Sequence, residues 1–384
     1  MKVVRESIKV CGERKYMKKV LILVNHDVVI YNFRRELVER LLQDGYEVYI
    51  SSPYGDRIDE LVAMGCKYIE ASISRRGTNI IEELKLLFYY KKIIKNVKPD
   101  VVLSYTIKPN IYGGMASKAL NVPYIANITG LGTAVENKGV MQKITIILYK
   151  VAFRKINCIF FQNTENRQFF IDNNIAIGKH RLIQGSGVNL EQFHVLDYPS
   201  DETIEFVFIS RIMKEKGIDQ YLEAAEYIRR RYSNTRFHVC GFCEEAYEDK
   251  LKELQDKGII EYHGMQRDVR IILEKTHCLI HPSYHEGMAN ALLESASSGR
   301  PIIASNINGC REAFDEGISG FGFEVKITDA LIEKLIKFIE LPYEQKKTMG
   351  LAGCRKMKSE FDRNIVINAY MEEINRTNNR VKES

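Results

Sequence analysis

Residues 277–305 read HCLIHPSYHEGMANALLESASSGRPIIAS. An apolar run, HCLIHP, ends at a proline. A helical stretch, expected to begin near Met288–Asn290, closes at Gly299. Pro301 then opens a second apolar run, RPIIAS. Strand, helix and strand in so short a span, with turn residues at the joins, mark a parallel β-α-β unit. In this reading Glu286 lies in the loop before the helix and Glu294 lies inside it.

The same alternation extends in both directions. KKVLILV (18–24), YEVYIS (46–51), CKYIEA (66–71), DVVLSY (100–105), PYIANI (123–128) and INCIFF (156–161) read as strands. NFRRELVERLLQDG (32–45) carries a helical apolar stripe closed by Gly45, and a further helix is expected near 56–64. The pattern stops at HVLDYPSDET (194–203), a polar stretch taken as an interdomain linker. It restarts with EFVFIS (205–210), RFHVCG (236–241) and GIIEYHG (258–264), and continues into the opening segment. From about residue 328 the tail reads as helical, with no further strand. The fold class is α/β, with two doubly wound parallel-sheet, Rossmann-like domains facing a central crevice. Residues 1–196 form the first domain and 197–362 the second. Residues 363–384 form a last helix that can cross back to the first.

Composition bounds the function. The chain has 384 residues, 45% apolar and 28% charged, ordinary for a globular enzyme of two domains. No apolar run approaches the ~18 residues that span a bilayer. The start, MKVVRESIKVCGERKY, is too charged for a signal peptide, and Met17 begins a natural first strand. Eight cysteines, at 11, 66, 158, 240, 243, 278, 310 and 354, are scattered without a secretion signal. Reduced thiols and a cytoplasmic protein follow. Cys240 and Cys243 have the spacing of a redox pair or half a zinc site, but no second pair completes it. Glu244 and Glu245 disfavour a thiolate there, so a strand end and a turn is the better reading.

Charge is uneven. Residues 1–195 hold 29 Lys and Arg against 18 Asp and Glu, net +11; residues 196–384 hold 27 against 32, net −5. A basic half suits an anionic partner. In helix 140–155 the cations Lys143, Lys150 and Arg154 share one face, and apolar residues at 140, 144, 147, 148 and 151 form another stripe. Such a helix can rest on an anionic bilayer or pack into the core.

Ligands of doubly wound sheets sit beyond the carboxyl ends of the strands. Three loops of the second half fall there. ISRIMKEKGID (209–219) carries Arg211 and Lys216, a donor fork and a compact charge suited to a diphosphate. GMQRDV (264–269) is a strand-to-helix turn. In HPSYHEGMANALLE the amides from Gly287 to Ala291 open a helix N-terminus, which attracts anions. His281 and His285 stand four apart beside Glu286, but Pro282 between them argues against a shared helical face, and no metal site is expected.

EGMANALLE, followed by GRPIIASN and GCRE, resembles the nucleotide-sugar site of retaining family-4 glycosyltransferases of the GT-B fold. SRIMKEKG resembles that family's diphosphate loop. YTIKPNIYGGMASK (105–118) and NITGLGTAVENKG (127–139) resemble its bacterial surface-polysaccharide subgroup, the enzymes of capsule, O-antigen and other lipid-linked glycans. The resemblance runs from about residue 17 to the end. It implies transfer of a hexose or N-acetylhexosamine from a nucleotide sugar, UDP-linked by subgroup expectation, to a polyprenyl-diphosphate-linked or other glycan acceptor.

The resemblance also implies roles. Arg211 and Lys216 neutralise the donor diphosphate, and with Glu286 they form the catalytic set. Glu286 contacts sugar hydroxyls, and Glu294 accepts from the ribose. Gly287, Met288, Ala289, Asn290, Ala291 and Leu292 offer amides to sugar and phosphate. Gly241, Met265 and Gln266 complete the donor site, with the last two beside the base. The anomeric configuration is retained by front-face attack, a phosphate oxygen taking the acceptor proton, without an obligatory cofactor or metal. The glutamates are then not a glycosidase acid/base pair.

Two departures fall on the acceptor side. The loop after the first strand, VNHDVVIYN (24–32), lacks the family's glycine pair, and NITGLG lacks its histidine. Asn25, His26, Asn127, Thr129 and Gly130 stand at those positions. A proline frequent before the late glycine is replaced by Asn308. Expected partners are the nucleotide sugar, the glycan acceptor and an anionic membrane surface, with no nucleic acid. The expected location is cytoplasmic, peripheral on the inner face of the cell membrane. Two other readings fit the architecture: a sugar-nucleotide epimerase, and a non-catalytic nucleotide-sugar or membrane-binding protein.

Overall fold

The computed structural model describes residues 17–71, 80–131 and 139–383. Residues 1–16, ahead of the strand expected from Met17, and residues 132–138 of the glycine-bearing stretch lie outside the described residues.

Two parallel sheets form the molecule. The first contains β1 (Lys19–Leu23), β2 (Glu47–Ser52), β3 (Lys67–Glu70), β4 (Val101–Tyr105), β5 (Tyr124–Ile128), β6 (Cys158–Phe161) and β7 (His180–Leu182). Their order is 3-2-1-4-5-6-7. The second contains β8 (Ile204–Ile209), β9 (Thr235–Cys240), β10 (Glu261–Tyr262), β11 (Cys278–His281), β12 (Ile302–Ser305) and β13 (Gly320–Phe323), in the order 10-9-8-11-12-13. All pairings between these strands are parallel.

Helices cover both faces, so alternate residues of one strand enter different cores. Val20 and Ile22 join one cluster with Leu37, Val38 and Leu41. Leu21 and Leu23 join another with Tyr90, Ile94 and Phe161. In β8, Phe206 and Phe208 face Tyr221 and Leu222, while Val207 faces Leu292 and Leu293. Strand order reverses between β1 and β4, and again between β8 and β11. Loops leaving the two central strands therefore part and leave a crevice at each switch point.

Four sequence expectations shift. The stretch 24–32, read as a loop, is helical from Asp27: the helix Asp27–Gln43 is capped by His26, whose Nδ1 accepts from the Val28 amide at 3.2 Å. Helix 140–155 ends at Ala152 and tightens into a short turn, Phe153–Lys155. β7 and β13 were not expected: HRL is short and half polar, and GFGF is weakened as a strand by its glycines. Both are edge strands, held by β6 and β12.

The linker differs most. Val188, ahead of residue 196, already packs with Leu292, Leu293 and Phe361. The Val188 amide donates to Phe361 O at 2.8 Å, and the Arg363 amide donates to Val188 O at 3.0 Å. Outgoing and returning segments thus pair. Gly187, at φ +65°, allows it: a Cβ there would stand 2.6 Å from Arg363 Cα. The stretch expected as a free linker is docked on the second domain. Leu196 donates its amide to Ser298 O at 3.2 Å, and the buried Arg300 guanidinium donates to Leu196 O and Asp197 O at 3.3 and 2.7 Å.

After β13 come the helices Thr328–Ile339, Tyr343–Glu360 and Arg363–Glu383. The last returns to the first sheet, where Val366, Tyr370 and Ile374 share a core with Val20 and Ile22.

Candidate functional site

The loops after β8 and β11 meet at the switch point of the second sheet. Lys214–Lys216 forms one tight turn, and Gly217 caps the helix Ile218–Arg231 in the left-handed region, φ +73°. A Cβ on Gly217 would stand 2.0 Å from Pro282 O, so only glycine lets the two loops touch. That contact brings Lys216 to Glu286. Nζ lies 2.6 Å from Oε1, with both side chains almost buried. His281 Nε2 lies 2.8 Å from the same oxygen. Burial opposes charge on Glu286, but the Lys216 ammonium and His281 outweigh it and hold its carboxyl well below the usual carboxylate range.

The helix after Glu286 runs Asn290–Ser297, with Ala289 as its cap. Gly309, at φ +83°, lies against Glu286 O and Gly287 O, and its own carbonyl accepts from the Ala289 amide at 2.9 Å. The Leu292 amide donates to Ala289 O. Two of the amides expected to serve a ligand are therefore used within the protein. Asn290 Oδ1 is buried with no hydrogen-bond partner among the described residues.

One turn on, Glu294 lines a cleft of about 590 Å³ between the domains, with Asn290, Ala291, Gln266 and Arg270 on one side and Tyr31, Glu36 and Arg57 on the other. Burial lifts its carboxyl to about 7, against a lowering pull from Arg363. Arg363 itself pairs with Glu36 at 2.7 Å. Arg211 is more exposed and pairs with Glu244. It lines a smaller neighbouring cavity with Gly241, Met265 and Gln266. Gly241, at φ +152°, has Ser210 O where a Cβ would go.

The first domain reaches over this site. The side-chain Nδ2 of Asn163 donates to Gly287 O at 2.8 Å, and Thr129 O lies 2.0 Å from where a Cβ on Gly287 would be. Asn308 donates to Glu165 Oε2 at 2.6 Å, so the residue in the proline's place makes an interdomain bond.

The acceptor-side residues divide. Thr129 and Gly130 are half-buried, and Thr129 lies against Gly287. Asn25 and His26 are half-buried after β1, with the buried Asp27 next in the chain. Asn127 is buried; its side-chain Nδ2 donates to Tyr370 Oη of the last helix at 2.5 Å, and its Oδ1 has no hydrogen-bond partner among the described residues.

His281 and His285 do not converge: the first is buried on Glu286 and the second is exposed. Cys240 ends β9, and Cys243 follows in the turn; both are free thiols. Sequence reasoning missed His281 as a partner of Glu286. It also missed Asn163 and the Arg363–Glu36 pair. His281 reaches Glu286 within one loop, five residues on, whereas Asn163 and the Arg363–Glu36 pair act through contacts distant in sequence.

Comparison with known proteins agrees with this architecture. Residues 196–354 match the family Glycosyl transferases group 1, and residues 19–163 match Glycosyl transferase 4-like. The N,N'-diacetylbacillosaminyl-diphospho-undecaprenol alpha-1,3-N-acetylgalactosaminyltransferase of Campylobacter jejuni is 26% identical over 360 residues, 89% of this chain and 94% of that protein. The UDP-Gal:alpha-D-GlcNAc-diphosphoundecaprenol alpha-1,3-galactosyltransferase of Escherichia coli is 26% identical over 68% of this chain and 72% of its own. A glycosyltransferase structure from Rickettsia africae superposes with a TM-score of 0.78 at 19% identity, covering 94% of this chain and 99% of that one. Anabaena HepE, in complex with UDP and glucose, superposes at 0.76 and 15% identity, covering 93% and 98%. The chain belongs to the glycosyltransferases of group 1 and the family-4-like type, and it is an enzyme of the GT-B fold.

Proposed function

We propose that the chain transfers a hexose or N-acetylhexosamine, with retention, from a UDP-sugar to a polyprenyl-diphosphate-linked glycan in cell-surface polysaccharide synthesis. The observation that carries this is the Lys216–Glu286–His281 cluster beside a helix N-terminus, at the switch point between β8 and β11. The activities of the Campylobacter and Escherichia relatives support the acceptor class, and the UDP in the HepE structure supports the donor. Family membership favours this reading over an epimerase or a non-catalytic binder.

The chemistry follows from charge. The leaving group is a nucleoside diphosphate, so negative charge grows on phosphate as the glycosidic bond breaks. Lys216 exchanges Glu286 for the diphosphate, and Arg211 turns from Glu244 to join it. The remaining amides between Gly287 and Ala291 add donors to an already ordered site. Glu286, freed of Lys216, accepts from sugar hydroxyls. Glu294 accepts from the ribose, with Met265 and Gln266 at the base. A phosphate oxygen takes the acceptor proton, and no metal enters the step.

The acceptor and the membrane face the first domain in this proposal. The helix Val140–Ala152 exposes Val140, Met141, Ile144, Ile147 and Val151. Lys143, Lys150 and Arg154 are exposed with them. The helix Ile80–Val97 exposes Ile80, Ile81, Leu84 and Phe88, and both helices contact Gly114–Ala119. Apolar residues ringed by cations suit an anionic lipid surface on the cytoplasmic face. No helix among the described residues is long and apolar enough to cross a membrane.

A turnover assay tests the whole. UDP release from a panel of UDP-sugars should require a polyprenyl-diphosphate-linked glycan. Release independent of acceptor, or interconversion of the sugar itself, would overturn the proposal.

A further inference from the structure

On the second domain, away from the Lys216–Glu286 cluster, three ligating side chains converge. β9 and β10 pair with His238 opposite Glu261. Paired residues of a parallel ladder point to the same side, and so does the residue two further on. The ladder continues past β10, where the His263 amide donates to Val239 O at 2.9 Å. Alternation therefore delivers His238, Glu261 and His263 to one face at the edge of the sheet. His238 Nδ1 lies 2.9 Å from His263 Nε2 and 3.6 Å from Glu261 Oε2. All three ligand atoms lie within 4.8 Å of one another.

A fourth residue orients the set. His238 is buried, and its Nε2 lies 2.9 Å from Glu205 Oε2 on β8. A carboxylate accepts, so Nε2 carries the proton and the Nδ1 lone pair faces His263 and Glu261. This is the carboxylate–imidazole arrangement that fixes ring and tautomer behind a bound metal.

We propose that His238, His263 and Glu261 bind one zinc-class divalent cation, with water in the remaining position. Two imidazoles and a carboxylate select a borderline ion such as zinc over calcium or magnesium. Bonds of about 2.0–2.1 Å in a tetrahedral site set ligand separations near 3.4 Å. The two observed distances bracket that value, and the half-buried His263 ring supplies the small outward shift. Glu261 is half exposed, which gives an ion its entry path. Arg236, 3.7 Å from Glu205, and Lys275, which acts on His263, are the cations the site must tolerate.

The position gives the ion a use. His263 O accepts from Gln266 Nε2 at 2.5 Å, and Gly264 O accepts from the Gly241 amide at 2.9 Å. A metal here would staple β9 to β10 just before the loop carrying Met265 and Gln266. It takes no part in sugar transfer and stands independently of the proposed reaction.

The test is titration of the metal-free full-length protein with cobalt(II), followed by displacement with zinc. One equivalent should bind, with the visible absorption of a low-symmetry nitrogen–oxygen site, and zinc should raise the apparent Tm. His263→Ala and Glu261→Ala, both at accessible positions, should lose that equivalent while keeping the wild-type circular dichroism spectrum. Glu205→Gln should weaken binding by about ten-fold or more. Cys243→Ser should leave it unchanged. Absence of stoichiometric binding in the wild type, or its persistence in His263→Ala, would overturn the site. So would its loss in Cys243→Ser.

Discussion

Lys216 Nζ stands 2.6 Å from Glu286 Oε1, although the two are seventy positions apart and belong to different loops. The pair holds the site charged and ordered before any ligand arrives. Removing one member leaves the other almost buried and uncompensated. Glu286→Gln should cost about 3 kcal/mol of stability at pH 7, read from denaturant unfolding. The folded carboxyl lies below its ordinary value of 4.5. Its contribution is therefore complete above that pH and is lost as pH falls through the depressed value. The gap between wild type and variant should close on strong acidification; a gap that widens in acid contradicts the pairing.

Glu294 shows the opposite sign. Burial raises its carboxyl to about 7, with Arg363 pulling the other way. Neutral Glu294 favours the fold below its ordinary value of 4.5, and that advantage is lost as pH rises through about 7. Glu294→Gln should gain stability relative to wild type across that window in paired thermal melts. Glu294→Ala should weaken binding of free nucleoside diphosphate, and unchanged affinity by calorimetry would remove the ribose role.

Gly287 meets the first domain directly. A methyl there would stand 2.0 Å from Thr129 O, a contact only backbone movement can relieve. Gly287→Ala should separate the Glu286 loop from the loop after β5, lowering kcat/KM and enlarging the radius of gyration. Gly130→Ala, with open space at the Cβ position, is the control and should keep wild-type dimensions.

The exposed stripe on Val140–Ala152 predicts binding to lipid. Ile144→Asp with Ile147→Asp should abolish sedimentation with anionic liposomes at low salt and leave nucleotide binding intact. Equal sedimentation of wild type and double variant would dismiss this surface.

Much of the fold was legible because period-two apolar runs and glycine-closed helices repeat along the chain. The exceptions have local causes. Asp27–Gln43 begins behind a histidine cap and a Val-Val-Ile run, which mimic a loop and a strand. GFGF has too little β-propensity to announce β13. Residues 194–203 look like a linker because they are polar, but polar backbone is what Arg300 and Ser298 bind. The positions of Arg211, Lys216, Glu286 and Glu294 came from motif and spacing. That Lys216 rests on Glu286, that Ala289 spends its amide on Gly309, and that Asn127 reaches Tyr370 are facts of packing.

The most direct test of the central claim is single-turnover transfer by wild type and Lys216→Ala, with a UDP-sugar and a polyprenyl-diphosphate-linked glycan. If Lys216 carries diphosphate charge in the transition state, the variant should fold normally and lose about 10²- to 10³-fold in rate, as when one preorganised donor is removed. A folded Lys216→Ala enzyme that transfers at the wild-type rate would contradict the account.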